Sequence, residues 1–120
     1  FAEAIGFAHV HVFPFSPRAG TRAATLSGRL RGDEIRARSA ELHRLAARMK
    51  AEHLARAVGQ RREVLWESAD ETAGSRRFAG YTDTYLRVET EVAAGVELEN
   101  RIEAVELAAV DGDRLIGARA

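Results

Sequence analysis

The sequence has no cysteine. Disulfides, thiolate metal sites and a cysteine nucleophile are therefore excluded from these 120 residues. No apolar run approaches the roughly 18 residues of a membrane span, so no transmembrane helix reads out of them. Proline occurs only at Pro14 and Pro17, which confines any proline-driven break to that stretch. Aromatic residues are only 7% of the chain, with one Trp and two Tyr, so a site built on ring stacking has few residues to draw on. No basic stretch leads into an apolar one behind Phe1, so no signal peptide is legible. The opening Phe1-Ala2-Glu3-Ala4-Ile5-Gly6 starts mid-pattern, and the chain is expected to be a piece of a longer protein.

What is present is the composition of a globular chain. Hydrophobic residues make up 46% and charged residues 30%, which excludes a disordered tail and leaves room for one domain, or a small domain with an appendage. The net charge of zero hides an uneven distribution. Residues 1–62 carry 12 Arg/Lys against 5 Asp/Glu, a net of +7; residues 63–120 carry 6 against 13, a net of −7. A polyanion would meet the first half more readily than the second, unless the two halves neutralise each other.

Phe1 to Ile5 reads as the end of a helix stopped by Gly6. Val10, Val12 and Phe13 form a β-prone run broken at Pro14, so residues 8–13 are expected to be a short strand. Helix end, glycine, strand is the αβ half of a βαβ unit. Nothing in the next 40 residues resembles a partner for that strand, so it is expected to be disordered or to associate artificially with another chain or sheet edge. His9 and His11 share a side of it, but with no third ligand nearby no metal site is expected. Ser16 to Gly32 reads as a basic loop carrying Arg18, Arg22, Arg29 and Arg31, either a solvated connector or a phosphate-contacting segment.

Asp33 is expected to cap a helix running to Val58 and stopped by Gly59. Its apolar stripe is Ile35, Leu42, Leu45, Met49 and His53. Beyond Arg61 the pattern becomes β. Strands are expected at Glu63–Glu67, within Phe78–Glu91, and from Leu98 to Val110 with a bulge near Ile102–Leu107. Ser68–Ser75 and Ala93–Val96 read as turns. Asp111-Gly112-Asp113 reads as a hairpin turn into Arg114–Gly117. Four or five short strands in about 60 residues point to a small OB-like barrel, too thin in its core to stand without the helix.

Two blocks carry a resemblance. His9-Val10-His11-Val12-Phe13-Pro14-Phe15-Ser16-Pro17-Arg18-Ala19-Gly20-Thr21 and Gly80-Tyr81-Thr82-Asp83-Thr84-Tyr85-Leu86-Arg87-Val88, joined by a helix with Arg38, Leu42 and Leu45, resemble the C-terminal end of a radical-SAM methylthiotransferase. The wording is most similar to the branch acting on threonylcarbamoyladenosine in tRNA, with Phe15 and Thr84 where that branch usually has Tyr and Asn. The resemblance implies an α+β fragment in three parts. Residues 1–32 would be the terminal strand and loop of the α/β radical-SAM barrel, 33–58 a linker helix, and 59–120 an all-β TRAM barrel.

It also implies a cytoplasmic transferase that adds a methylthio group beside the anticodon. The parent enzyme would use S-adenosylmethionine and two 4Fe-4S clusters, held by a Cys-x-x-x-Cys-x-x-Cys motif and further cysteines that these residues lack, so the piece alone is expected to be inactive. The partner would be a tRNA anticodon stem-loop, contacted by Tyr81, Thr82, Tyr85, Arg87, Arg61 and Arg62. Ser16, Arg18 and Thr21 would belong to an active-site loop. The acidic second half opposes RNA unless Arg61, Arg62, Arg76, Arg77 and Arg87 cluster on one face. The alternatives are the related branch that modifies a basic ribosomal protein, and a noncatalytic interaction module.

Overall fold

The computed structural model describes residues 1–72 and 74–119. It divides into two compact units, residues 1–50 and 51–120.

In the first unit a short helix α1 (Ala2–Ile5) ends at Gly6, whose φ of 71° lets its N–H close back on the Ala2 carbonyl. Residues 9–18 form neither helix nor strand, so the strand expected at 8–13 is not present. A β-ladder needs a second backbone, and among the described residues no strand pairs with this segment. The loop expected over 16–32 is interrupted by a helical turn, α2 (Arg22–Thr25). Thr21 starts it, its hydroxyl accepting from the Ala24 N–H at 3.3 Å.

Helix α3 (Gly32–Ala57) has 26 residues and is about 39 Å long at 1.5 Å per residue. Its cap is Arg31 rather than Asp33. The Arg31 carbonyl accepts the Ile35 N–H at 3.0 Å, and the Glu34 carboxylate reaches back to the Arg31 N–H at 3.1 Å. A Glu three residues past the cap is placed for that return bond, which leaves Asp33 in the first turn, paired with Arg31 at 3.2 Å. Of the expected stripe, Ile35 and Leu45 are half-buried and Leu42 is exposed. An ion pair from Arg48 to Glu3 ties α3 to α1.

The second unit is a closed barrel of order β1-β2-β3-β5-β4, formed by β1 (Arg61–Thr72), β2 (Ser75–Thr82), β3 (Arg87–Ala93), β4 (Ile102–Asp111) and β5 (Arg114–Ala118). The pairs are antiparallel except β3 with β5, whose parallel contact closes the ring. That ring order matches the OB-like barrel expected. Alternation sends Val64 and Trp66 inward from β1, Val88 and Val92 from β3, Val105 and Leu107 from β4, and Leu115 from β5. Leu54 and Ala57, in the last turns of α3, complete this core.

The strand boundaries differ from the sequence reading in three places. Strand β1 runs through Ser68 to Thr72 instead of turning there, because Asp70 and Glu71 lie across from Arg77 and Arg76 in the ladder. The stretch 78–91 is two strands joined by a turn at 83–86, although Leu86 and Val88 do face inward and Tyr85 and Arg87 outward. In β4 the register slips between Leu107 and Ala109, later than expected, and the strand starts at Ile102 rather than Leu98. A second slip, between Trp66 and Ser68 of β1, was not foreseen. On the side away from β2, the Trp66 N–H donates to the Arg101 carbonyl and the Trp66 C=O accepts the Asn100 N–H, so the Trp66 backbone stays bonded beside the slip.

Near the chain's end Arg119 donates two bonds to Glu103, at 2.8 and 3.1 Å, and holds that carboxyl below the usual range against the opposing effect of burial. A depressed folded-state pKa stabilises above the unfolded Glu value of about 4.3, and that stabilisation is lost as pH falls through the folded value. Arg119→Ala is therefore expected to lower the thermal midpoint at neutral pH, with the gap from the parent closing in acid. Circular dichroism melts across that range check it.

Candidate nucleic-acid interface

The turn joining β2 to β3 presents the two tyrosines. Thr82 is buried, and its hydroxyl accepts the Leu86 N–H at 3.0 Å and the Thr84 N–H at 3.3 Å, while touching the Thr84 hydroxyl at 3.1 Å. The Tyr85 N–H bonds the Thr82 carbonyl at 3.0 Å. With its polar groups so engaged, the turn holds Tyr85 at a φ of 60°, unusual for a residue with a Cβ, and leaves it 87% exposed. Thr82 thus shapes the site from beneath. Thr84, standing where the resembling branch usually has Asn, still supplies a hydroxyl to the turn.

Tyr81 is 39% exposed on the outer face of β2. Its cross-strand neighbours are Arg87 of β3 and Leu65 of β1, and Leu65 lies opposite Ile102 of β4. The four make a row across the barrel. A hollow of about 260 Å³ opens over it, lined by Leu65, Ile102, Tyr81, Thr82 and Tyr85 and by the carboxylates of Glu63, Glu67 and Asp83. Neither tyrosine fills the barrel, so both rings are available for contact.

The arginines are dispersed. Arg62 sits at the start of β1, bonded to the Gln60 side chain and 3.9 Å from Asp83; Arg61 beside it is exposed, across from Glu106. Arg76 is at the far end of the sheet, over the Phe78 ring, with Glu97 at 2.8 Å and Glu71 at 3.7 Å. The Glu97 hydrogen bond raises the Arg76 pKa and lowers that of Glu97. About nine strand residues, roughly 30 Å, separate Arg62 from Arg76 along β1, so the cluster of five arginines does not form. Arg87 is bonded at 3.1 Å to Glu89, whose side chain is only 7% exposed and is also gripped by Arg114 at 3.3 Å. Arg114 in turn is raised by its bond to Asp111 at 3.0 Å and by Glu89. Arg87 is thus positioned beside Tyr81 by a buried carboxylate.

In the first unit Ser16 and Arg18 are exposed, and Thr21 caps α2 while donating to the Arg18 carbonyl at 2.8 Å. Phe15, Pro17, Leu26, Leu30 and Ile35 line an apolar hollow of about 400 Å³ beside these residues. The rings of His9 and His11 lie 4.6 Å apart, on one side of the extended chain as their spacing required, with Phe13 next in line. Among the described residues no three His, Asp or Glu side chains converge as metal ligands, and the chain offers no thiolate. These residues therefore do not fit an iron–sulfur cluster.

Sequence reasoning missed Glu63, Leu65, Glu67, Asp83 and Ile102 as parts of the hollow. The alternation Glu63-x-Leu65-x-Glu67 signalled a shared outer face, but only strand pairing brings the tyrosines to it.

No protein-family model matches the chain. Among curated proteins it is 33% identical over 129 aligned residues to the ribosomal protein uS12 methylthiotransferase RimO of Synechococcus sp., covering 100% of this chain and 28% of that one. It is 35% identical to the threonylcarbamoyladenosine tRNA methylthiotransferase MtaB of Bacillus subtilis, over 68% of this chain and 18% of that one. The MtaB of Chlamydia pneumoniae is 30% identical over 96% of this chain and 26% of its own. The matches span only 18% to 28% of the length of these relatives.

Proposed function

Over its own length the chain belongs to the radical-SAM methylthiotransferase family, and from that premise we propose that it is the substrate-recognition end of a tRNA methylthiotransferase. The enzyme would act in the cytoplasm on N6-threonylcarbamoyladenosine beside the anticodon, with S-adenosylmethionine and cluster chemistry supplied by residues outside this sequence. Taken alone, these residues would bind and not catalyse.

The observation that carries the reading is the pair of exposed tyrosines on one barrel face, with Arg87 cross-strand from Tyr81. The face of strands 2 and 3 is where OB-type barrels commonly take oligonucleotides, and stacking on aromatic rings suits the unpaired bases of an anticodon loop. Arg61 and Arg62, at the head of β1, would supply further cations for phosphates. Ser16, Arg18 and Thr21 keep the assignment of an active-site loop by resemblance.

The experiment is titration of the chain with an anticodon stem-loop at two salt concentrations. Binding is expected to weaken with salt, and Tyr81→Ala and Tyr85→Ala are each expected to cost about 1–3 kcal/mol of affinity per stacked base while leaving the thermal midpoint in place. A second reading, the ribosomal-protein branch, is favoured by the three carboxylates around the tyrosines. Absence of RNA binding at low salt, together with tight binding of a basic ribosomal protein, would establish that reading instead.

A further inference from the structure

We propose that the hollow over Leu65 selects one unpaired base of the bound RNA by its hydrogen-bond donors, and that its preferred occupant is guanine. The proposal rests on the RNA reading above and adds to it which base is chosen and by which side chains.

Glu63, Leu65 and Glu67 alternate outward along β1, so a carboxylate lies on each side of an apolar floor. Ile102 extends that floor, and Tyr81 and Tyr85 stand at its edge. Such a surface takes the face of a ring. Glu67 falls at the β1 bulge, where the register slips and it has no cross-strand partner, the local device by which a strand re-aims one side chain. Among the described residues no cation pairs with Glu63 or Glu67, whereas Glu71, Glu89, Glu97, Glu103 and Asp111 are each engaged by an arginine. Of the three carboxylates at the hollow, Asp83 has Arg62 at 3.9 Å, and Glu63 and Glu67 are left as acceptors.

A carboxylate only accepts, through two oxygens side by side. Phosphates are repelled from it, which turns an RNA strand so that a base edge and not the backbone enters. Guanine places its N1–H and one N2–H next to each other, two donors for the two oxygens of one carboxylate. Cytosine and adenine offer one amino group each. Uracil offers a single N–H between two carbonyl oxygens that would face the carboxylates.

The test is anisotropy titration of the 120-residue chain with uridine heptamers whose central nucleotide is guanosine, inosine, adenosine, cytidine or uridine. Guanosine is expected to bind tightest, roughly tenfold over uridine, with inosine between them because it keeps N1–H and lacks the amino group. E63Q and E67Q, which preserve shape and remove the paired acceptors, are expected together to bring the guanosine-to-uridine ratio close to one without weakening the all-uridine RNA. Equal binding of all five RNAs would overturn the guanine selection and leave the RNA reading standing. Failure to bind any of them, with capture of an arginine-rich peptide that E63Q and E67Q weaken, would overturn both.

Discussion

Trp66→Ala is expected to leave the barrel largely unfolded at room temperature. Trp66 is fully buried and heads the largest enclosed side chains of the second unit. Its indole reaches to 3.7 Å from where a Gly117 Cβ would stand, among the Val88 and Val105 side chains, so its loss empties the middle of the core. Truncating a buried Trp or Phe costs about 3–5 kcal/mol. A barrel of this size has only about 3–10 kcal/mol in total, at roughly 0.05–0.15 kcal/mol per residue. The loss is thus comparable to the whole. Far-UV circular dichroism in a urea series measures it, since the variant has no tryptophan left to report. Leu65→Ala, one residue away but facing out, is the control and should shift the midpoint little. A Trp66→Ala variant melting with the parent would refute the inward assignment of β1.

Gly80→Ala should be nearly as damaging, for a different reason. A Cβ built there lies 2.2 Å from the Leu65 carbonyl oxygen and 3.0 Å from Trp66 Cα. These are backbone atoms of the adjoining strand and cannot swing aside as a side chain would. Gly80 pairs with Trp66 immediately before the bulge, so β1 bends over the one β2 residue that leaves room for it. Overpacking costs about 1–3 kcal/mol and sometimes more, and a clash with backbone belongs at the upper end. The informative comparison is Gly95→Ala. There φ is 89° and the space is open, so the penalty is only the backbone's, about 1–2 kcal/mol. Urea midpoints rank the two. Equal losses would mean that β1 and β2 do not approach as closely as described.

Much of the second unit was legible because its signals are local. Alternation placed Val64 and Trp66 inward and Tyr85 and Arg87 outward, and Asp111-Gly112-Asp113 turned the chain where it does. The strand expected at 8–13 failed for the opposite reason: its β-prone residues describe a preference that only a neighbouring backbone can realise. The turn expected over Ser68–Ser75 was read from polar residues. Ser68 to Thr72 are instead strand, with Asp70 and Glu71 facing Arg77 and Arg76, a complementarity invisible without the pairing, and the turn itself narrows to the stretch around Gly74. Arg61, Arg62, Arg76, Arg77 and Arg87 could be counted in the sequence, but strand pairing sets Arg76 and Arg77 of β2 across from the end of β1 remote from Arg61 and Arg62, so they do not form one patch.

By itself, then, the sequence determined the absence of cluster ligands, the long helix, the β character beyond Gly59, and the ordered blocks that place the chain among the methylthiotransferases. Each depends on residue identity or on neighbours a few positions apart. The tertiary structure alone decided that β3 meets β5 to close the barrel, that β1 bends at Glu67, that Glu89 holds Arg87 in place, and that Glu63, Glu67 and Asp83 surround the exposed tyrosines. Periodicity tells a side chain which face to take. It does not say which strand lies alongside, and strand pairing is what sets the charge and shape of the site.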